Sequence, residues 1–231
     1  MKRSLTKKSL VAFLVLVLVA LAGSGTARTA SDLTCTGAAP PGTYNNVVVP
    51  ANASCTLDNV RVLGNVTVKT NANLQIQTGT GDTTVAGNIT GKDCGFMELQ
   101  IVNISFRIAV GGDFVATNCT GGPFTGSQGS SGPGTPPQDV LIGGNVKCDN
   151  NDGGCVFDYS VVGKNLECSA NFDCDLQSDA IGGNATIKNS TSSMFVFNSI
   201  IGGNLACSGN SGPAGSGNTV AGTKSGQCTG F

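Results

Sequence analysis

Seven copies of one short phrase constrain this chain more than any other feature. The phrase is Val or Ile, a small residue, Gly, then Asn, then an apolar residue. Its copies are Val62-Leu63-Gly64-Asn65-Val66, Val85-Ala86-Gly87-Asn88-Ile89, Val110-Gly111-Gly112-Asp113-Phe114, Ile142-Gly143-Gly144-Asn145-Val146, Val162-Gly163-Lys164-Asn165-Leu166, Ile181-Gly182-Gly183-Asn184-Ala185 and Ile201-Gly202-Gly203-Asn204-Leu205, with a degenerate Val220-Ala221-Gly222-Thr223 after them. From Asn to Asn (Asp113 in the third) the steps are 23, 25, 32, 20, 19 and 20 residues. A step near 20 is the mark of a stacked-coil array, in which each unit buries its apolar face against the next. Helical repeats need longer units and a 3.6-residue apolar period, and neither is present. The segments between copies are short β-branched or alternating bursts, such as Val47-Val48-Val49 and Phe195-Val196-Phe197.

These features predict an all-β fold: a single-stranded parallel β-helix (β-solenoid) of about 7–8 rungs of roughly 20 residues each, disulfide-stapled and with irregular caps. The repeat Gly is expected at a corner that needs unusual backbone angles. The repeat Asn is expected to hydrogen-bond the backbone and the amide of the next rung. That makes Asn65, Asn88, Asp113, Asn145, Asn165, Asn184 and Asn204 one ladder. Low charge (12%), 34 Gly and the absence of Trp and His suit such an array.

Residues 1–27 read as a signal peptide. Lys2, Arg3, Lys7 and Lys8 precede the apolar run Val11–Ala22, and Ala20-Leu21-Ala22 and Gly25-Thr26-Ala27 are both acceptable cleavage sites. The mature part, 31–231, is expected to be one β-helix domain that is secreted, extracellular or at the cell surface, with no membrane span. Removing the four basic residues leaves 9 basic against 14 acidic residues, a net charge of −5. Such a surface argues against nucleic acid as a partner. The stretch 120–138, with Gly132-Pro133-Gly134-Thr135-Pro136-Pro137, is expected to protrude as a loop and to account for the 32-residue step.

Ten cysteines behind an export signal imply five disulfides: Cys35, Cys55, Cys94, Cys119, Cys148, Cys155, Cys168, Cys174, Cys207 and Cys228. Pairing chain neighbours gives 35–55, 94–119, 148–155, 168–174 and 207–228. The repeat frame offers a rival for the central four. Cys148 and Cys168 both fall three residues after a repeat Asn, and Cys155 and Cys174 both fall seven before the next phrase. Rung-to-rung bonds 148–168 and 155–174 are therefore also open. A zinc site has neither CxxC nor His to build on.

The search for chemistry assigns no catalytic, cofactor-binding or metal residue and no cofactor. Without His, Ser-His-Asp and Cys-His catalysis are excluded as such. The Gly-Gly-Asn phrase lacks the Lys-Ser/Thr of a phosphate loop. The carboxylates nearest one another are Asp149, Asp152, Asp158, Asp173, Asp175 and Asp179. The slots matching Asp158 hold Gln177 and Phe197, so no carboxylate stacks on another there; a pair such as Asp152 with Asp173 is still able to meet across rungs, for acid–base hydrolysis or for Ca²⁺, but these residues read first as surface-turn Asp. Lys147 and Glu167 are expected as rung-to-rung neighbours. A Thr ladder for ice binding is broken, because its slots hold Thr67, Thr90, Val115, Lys147, Glu167, Thr186 and Ala206. Seven Asn-x-Ser/Thr sequons (Asn52, Asn65, Asn88, Asn103, Asn118, Asn184 and Asn189) are read as a by-product of a Thr-rich β sequence.

The Val/Ile-x-Gly-Asn repeat, the opening Pro41-Gly42-Thr43-Tyr44 with Val47-Val48-Val49-Pro50, and the closing Gly226-Gln227-Cys228 together resemble secreted bacterial right-handed parallel β-helix repeat proteins over residues 33–230. The resemblance implies a pectin-lyase-like fold. It carries over no active site, because the lyases' acidic calcium cluster and basic catalytic residue match no motif here. The expectation for function is a secreted non-catalytic β-helix with a structural, surface or adhesion role, whose partner is a cell-surface glycan or protein. A carbohydrate-active enzyme or glycan-binding module is the alternative, and a self-assembling filament subunit a weaker one.

Overall fold

The computed structural model describes residues 30–127 and 140–231, and every regular element among them is a β-strand. The chain coils with three strands per turn. One turn displays the plan: Ser160–Val162 lies on the first face, Leu166–Ser169 on the second and Asp173–Gln177 on the third, before Ala180–Ile181 opens the next turn. Each strand pairs in parallel with its counterparts one turn away. The columns run Ile142–Val162–Ile181–Ile201 on the first face, Val146–Leu166–Ala185–Leu205 on the second and Phe157–Leu176–Val196 on the third. Third-face strands form an eight-stranded sheet. The other two faces form an eighteen-stranded sheet, joined through Gly42–Val49, which runs across both. The result is a parallel β-solenoid of about eight turns.

Strand alternation explains why this sequence coils. Successive side chains point to opposite faces of a strand, and the buried members of each strand are Val, Ile, Leu, Met, Phe or Cys in most turns. These inward residues fill a narrow interior. Its largest members, Phe114 and Phe157, meet edge to face with ring centroids 6.3 Å apart, the arrangement that the ring quadrupoles favour.

The three corners are built differently. The second corner, between second and third faces, places Asn52, Asn71, Asp93, Asn118, Asn150, Ala170, Asn189 and Gly209 at φ between 53° and 66°. Asn and Asp tolerate this left-handed region best among residues with a side chain. The third corner uses Asn59, Tyr159, Ser178, Asn198 and Gly217 in the same way. The first corner is the repeat phrase, and here the expectation from sequence is corrected, because no repeat Gly has a positive φ. Glycine is required there by stacking. A Cβ on Gly111, Gly143, Gly163, Gly182 or Gly202 would lie 2.3–2.8 Å from a carbonyl oxygen of the preceding turn. A Cβ on the following Gly87, Gly112, Gly144, Gly183 or Gly203 would lie 2.2–2.5 Å from the ladder side chain below.

A second correction concerns the insertion. Pro123–Ser127, inside the stretch read as protruding loop 120–138, is a strand of the third-face sheet. It pairs with Met97–Ile101 on one side and with Val156 and Phe157 on the other. The Gly-rich composition hid it, yet the pairing demands only a backbone. Residues 128–138 of that loop and the segment read as a signal peptide lie outside the described residues.

The disulfides join chain neighbours: Cys35–Cys55, Cys94–Cys119, Cys148–Cys155, Cys168–Cys174 and Cys207–Cys228. Cys148 and Cys168 are in register on adjacent strands, and so are Cys155 and Cys174. The central four therefore form two bridges stacked one on the other. Each crosses the second corner within its own turn, from second to third face. The other three bonds tie one turn to the next. At the C-terminal end, Phe231 packs against the core over Gly215, and the Lys224 ammonium donates to the Phe231 carbonyl.

Candidate functional site

The repeat Asn residues stand over one another, and the mode of bonding is uniform. Each side-chain Oδ1 accepts the backbone N–H of the ladder residue in the next turn. Asn65 accepts from Asn88 at 2.9 Å, Asn88 from Asp113 at 2.7 Å, Asp113 from Asn145 at 2.6 Å and Asn145 from Asn165 at 3.3 Å. Asn165 accepts from Asn184 at 2.9 Å and Asn184 from Asn204 at 2.8 Å. The series extends beyond the phrase, to Asn46 and Asp32 below and Thr223 above. Asp113 fits because only an acceptor oxygen is needed. This ladder caps backbone groups that the corner takes out of the sheet.

A second ladder lies inside the second corner, and the sequence reading missed it. Asn151 and Asn171 are fully buried. Asn171 Oδ1 accepts both the N–H and the Nδ2–H of Asn151, while its own Nδ2 donates to the Cys148 carbonyl at 3.1 Å. Asn151 Oδ1 accepts the Cys119 N–H, and Asn210 Oδ1 accepts the Ser190 N–H and hydroxyl. The signal was available: these residues each follow a left-handed corner residue by one. It was masked because the slot holds Cys94 and Cys119 in earlier turns.

Carboxylates gather on the outward third face in a way that slot matching did not find. Asp158 is in register with Gln177 and Phe197, and Asp175 with Val156 and Phe195. Asp158 and Asp175 are therefore diagonal neighbours on adjacent strands, close enough for long side chains to interact. With Val156, Gln177, Phe195 and Phe197 they line a shallow hollow of about 200 Å³. Phe195 and Phe197 have ring centroids 6.1 Å apart. Burial raises the Asp158 carboxyl above its ordinary range. Burial, then the charges of Asp173 and Asp158, push Asp175 up to about 6, and one Asp175 oxygen, Oδ1, has no hydrogen-bond partner.

Asp152 and Asp173, the pair the sequence allows to meet, do not line this hollow. Asp173 spends Oδ1 on the backbone N–H and hydroxyl of Ser193, and Asp152 is exposed at the second corner. Asp149 pairs with Lys147 at 3.7 Å. Lys147 and Glu167 are in register, as the spacing implies, but Glu167 bonds instead to Lys188 of the next turn at 2.8 Å. The hydrogen bond from Lys188 holds the Glu167 carboxyl below the usual range. Thr67, Thr90, Val115, Lys147, Glu167, Thr186 and Ala206 do form one outward column.

Among the sequons, Asn65, Asn88 and Asn184 belong to the outer ladder. Asn52, Asn118 and Asn189 sit exposed at the second corner. Asn103 Oδ1 accepts the Ser105 N–H in a tight turn. Among the described residues, no group of three or more His, Cys, Asp or Glu side chains is placed to hold a metal ion.

Against known proteins, no family model matches the chain, and neither the curated proteins nor the solved structures return a match. What is shown is the architecture: an all-β parallel β-solenoid braced by cysteine bridges.

Proposed function

We propose that this protein is a secreted, non-catalytic β-helix with a structural, surface or adhesion role, of the pectin-lyase-like type. The observation that carries the reading is the commitment of its polar side chains to stacking. The corner Asn and Asp residues are spent, turn after turn, on capping the backbone of the next turn. Such a column ties each turn to the next, and the third-face hollow among the described residues is shallow. Disulfide bracing is consistent with an extracellular protein. A thin solenoid buries little per turn, so covalent ties between turns suit a role that needs endurance.

One feature favours a second reading, a glycan-binding or carbohydrate-active module. The third-face hollow combines two carboxylates with raised proton affinity, an amide and two phenyl rings. Pyranose rings are bound by aromatic faces and polar groups in such combinations, and paired carboxylates of differing proton affinity are the tools of glycoside hydrolysis. A glycan array and a polysaccharide digestion screen on the oxidised protein separate the readings. The structural reading expects no cleavage. Cleavage abolished by Asp175→Asn sinks it. Binding without cleavage that is lost in Phe195→Ala supports adhesion through this face.

A further inference from the structure

The third corner holds a carboxyl group whose role neither the stacking nor the outward hollow accounts for. Asp179 is 2% exposed. Its Oδ1 accepts the Ser160 N–H at 2.8 Å, and its own N–H donates to the Ser199 hydroxyl at 3.2 Å. Its Oδ2 is buried without a partner. An ionised carboxylate in that position would leave a charged oxygen both desolvated and unpaired, which strongly disfavours the charged form.

The repeat itself shows what the slot requires. Ser160, Asp179, Ser199 and Asn218 occupy equivalent places, because the residues that follow them, Val161, Ala180, Ile200 and Thr219, are in register turn by turn. Asn218 bonds as an Asn should: Oδ1 accepts the Ser199 N–H at 2.9 Å, and Nδ2 donates to the Val196 carbonyl at 2.7 Å. Val196, Leu176 and Phe157 form one column. Moving the Asn218 pattern two turns back puts the Phe157 carbonyl where the Asp179 Oδ2 needs a partner. A carbonyl only accepts, so the group facing it must donate. Only the protonated acid has a hydrogen to give.

We infer that Asp179 is protonated in the folded protein and donates its Oδ2–H to the Phe157 carbonyl, so that one bound proton is a structural part of the β-helix. The surroundings hold the proton in place. Burial is the main cause of a carboxyl affinity well above the ordinary range, and it outweighs the opposing backbone N–H groups of Ser160 and Gln177. The ionised group acting on it is Asp158, at the end of Cys155–Asp158 in the preceding turn, and its like charge works in the same direction. Asp175, on the strand leading into this corner, adds another raised acid nearby. From the other packed elements, the side chains facing it are neutral: Ser160, itself bonded to Thr125, and Ser199.

A carboxyl with a raised folded pKa binds more protons in the folded state than in the unfolded one. Stability is then greatest below the unfolded value and declines as pH rises towards the folded one. A difference of one proton changes the unfolding equilibrium constant about tenfold per pH unit. The β-helix is therefore built to be firmest in mildly acidic surroundings.

The test is urea unfolding of the oxidised protein from pH 4 to pH 9, alongside Asp179→Asn and Asp179→Ser. Wild type should lose stability as pH rises across this window. Asp179→Asn should copy the Asn218 pattern, leave only the shallower dependence that Asp175 and Asp158 contribute, and be the more stable protein at pH 8. Asp179→Ser, which places in the slot the residue found at 160 and 199, should leave the same shallower dependence even if its absolute stability is lower. Isotope-edited infrared spectroscopy of the wild type at pH 7 should show one protonated carboxylic acid band that Asp179→Asn removes. A carboxylate band alone, or a pH dependence unchanged in both variants, overturns the inference.

Discussion

Gly182→Ala tests the claim that the repeat glycines answer to stacking rather than to backbone angle. Gly182 has no positive φ, so an Ala there meets no torsional objection. Its Cβ, however, would lie 2.4 Å from the Gly163 carbonyl oxygen and 3.1 Å from the carbon. Ordinary contact begins near 3.4 Å, so the two turns must part by about 1 Å at this corner. Two backbone bonds hold them there, Gly182 N–H to Val162 at 2.8 Å and Gly183 N–H to Lys164 at 2.7 Å. Stretching both by about 1 Å removes them, at about 0.5–1.5 kcal/mol each. The Asn184 N–H bond to Asn165 at 2.9 Å lies in the same strained corner and adds a similar amount. Against this, Ala restricts the unfolded chain and recovers about 0.4–1 kcal/mol. The net expectation is a loss of about 0.5–4 kcal/mol. Equilibrium urea unfolding of the oxidised protein should show a lower midpoint at unchanged slope. Gly37→Ala is the control: nothing lies within 4 Å of its Cβ position and its φ is not positive, so it should be neutral or slightly stabilising. A Gly182→Ala protein as stable as Gly37→Ala would refute the stacking argument.

Three other outcomes follow from the same geometry. Asn171→Ala should cost about 3 kcal/mol or more, because it strands two buried donors of Asn151 and the Cys148 carbonyl. Asn65→Ala, at an exposed corner, should cost about 1 kcal/mol, and comparison of their thermal midpoints checks the ranking. Replacing both Cys35 and Cys55 by Ala opens a bond between residues 20 apart and should destabilise by about 3 kcal/mol; the same change at Cys168 and Cys174, 6 apart, should cost about 2 kcal/mol. Denaturant unfolding of the two double variants measures the difference. Glu167→Gln breaks the bond to Lys188, but both side chains are 39% exposed, so stability should fall by less than about 1 kcal/mol and salt should erase the effect. That contribution is present above the ordinary Glu range and fades as pH falls through the lowered folded value, the opposite sense to Asp179.

Much of the site region could be read only in part from the chain. Slot matching correctly put Gln177 and Phe197 beside Asp158, yet it compared each residue with its direct counterpart alone. Asp158 and Asp175 interact along a diagonal, and their affinity for protons rises through burial that no spacing reveals. Composition misled at Pro123–Ser127, where Gly and Pro suggested a loop but free backbone edges on both sides supplied a strand. Tyr159, at φ 55°, and Ala170, at φ 53°, also stand at corners that their residue types would not have announced.

The sequence by itself determined the period, and the period determined the stack. A phrase that returns about every 20 residues brings like residues into register, so the Asn65-to-Asn204 ladder and the inward Val and Ile columns follow from counting. Tertiary structure decided what counting along one column cannot. It set the glycine requirement by carbonyl contacts between turns, and it buried Asn151 and Asn171 beneath the second corner. It also chose chain-neighbour bonds for the central cysteines and buried the Asp179 carboxyl in the third corner. The physical reason is common to all four. Each depends on which way a side chain points and on how closely the next turn approaches, and both are properties of the packed coil.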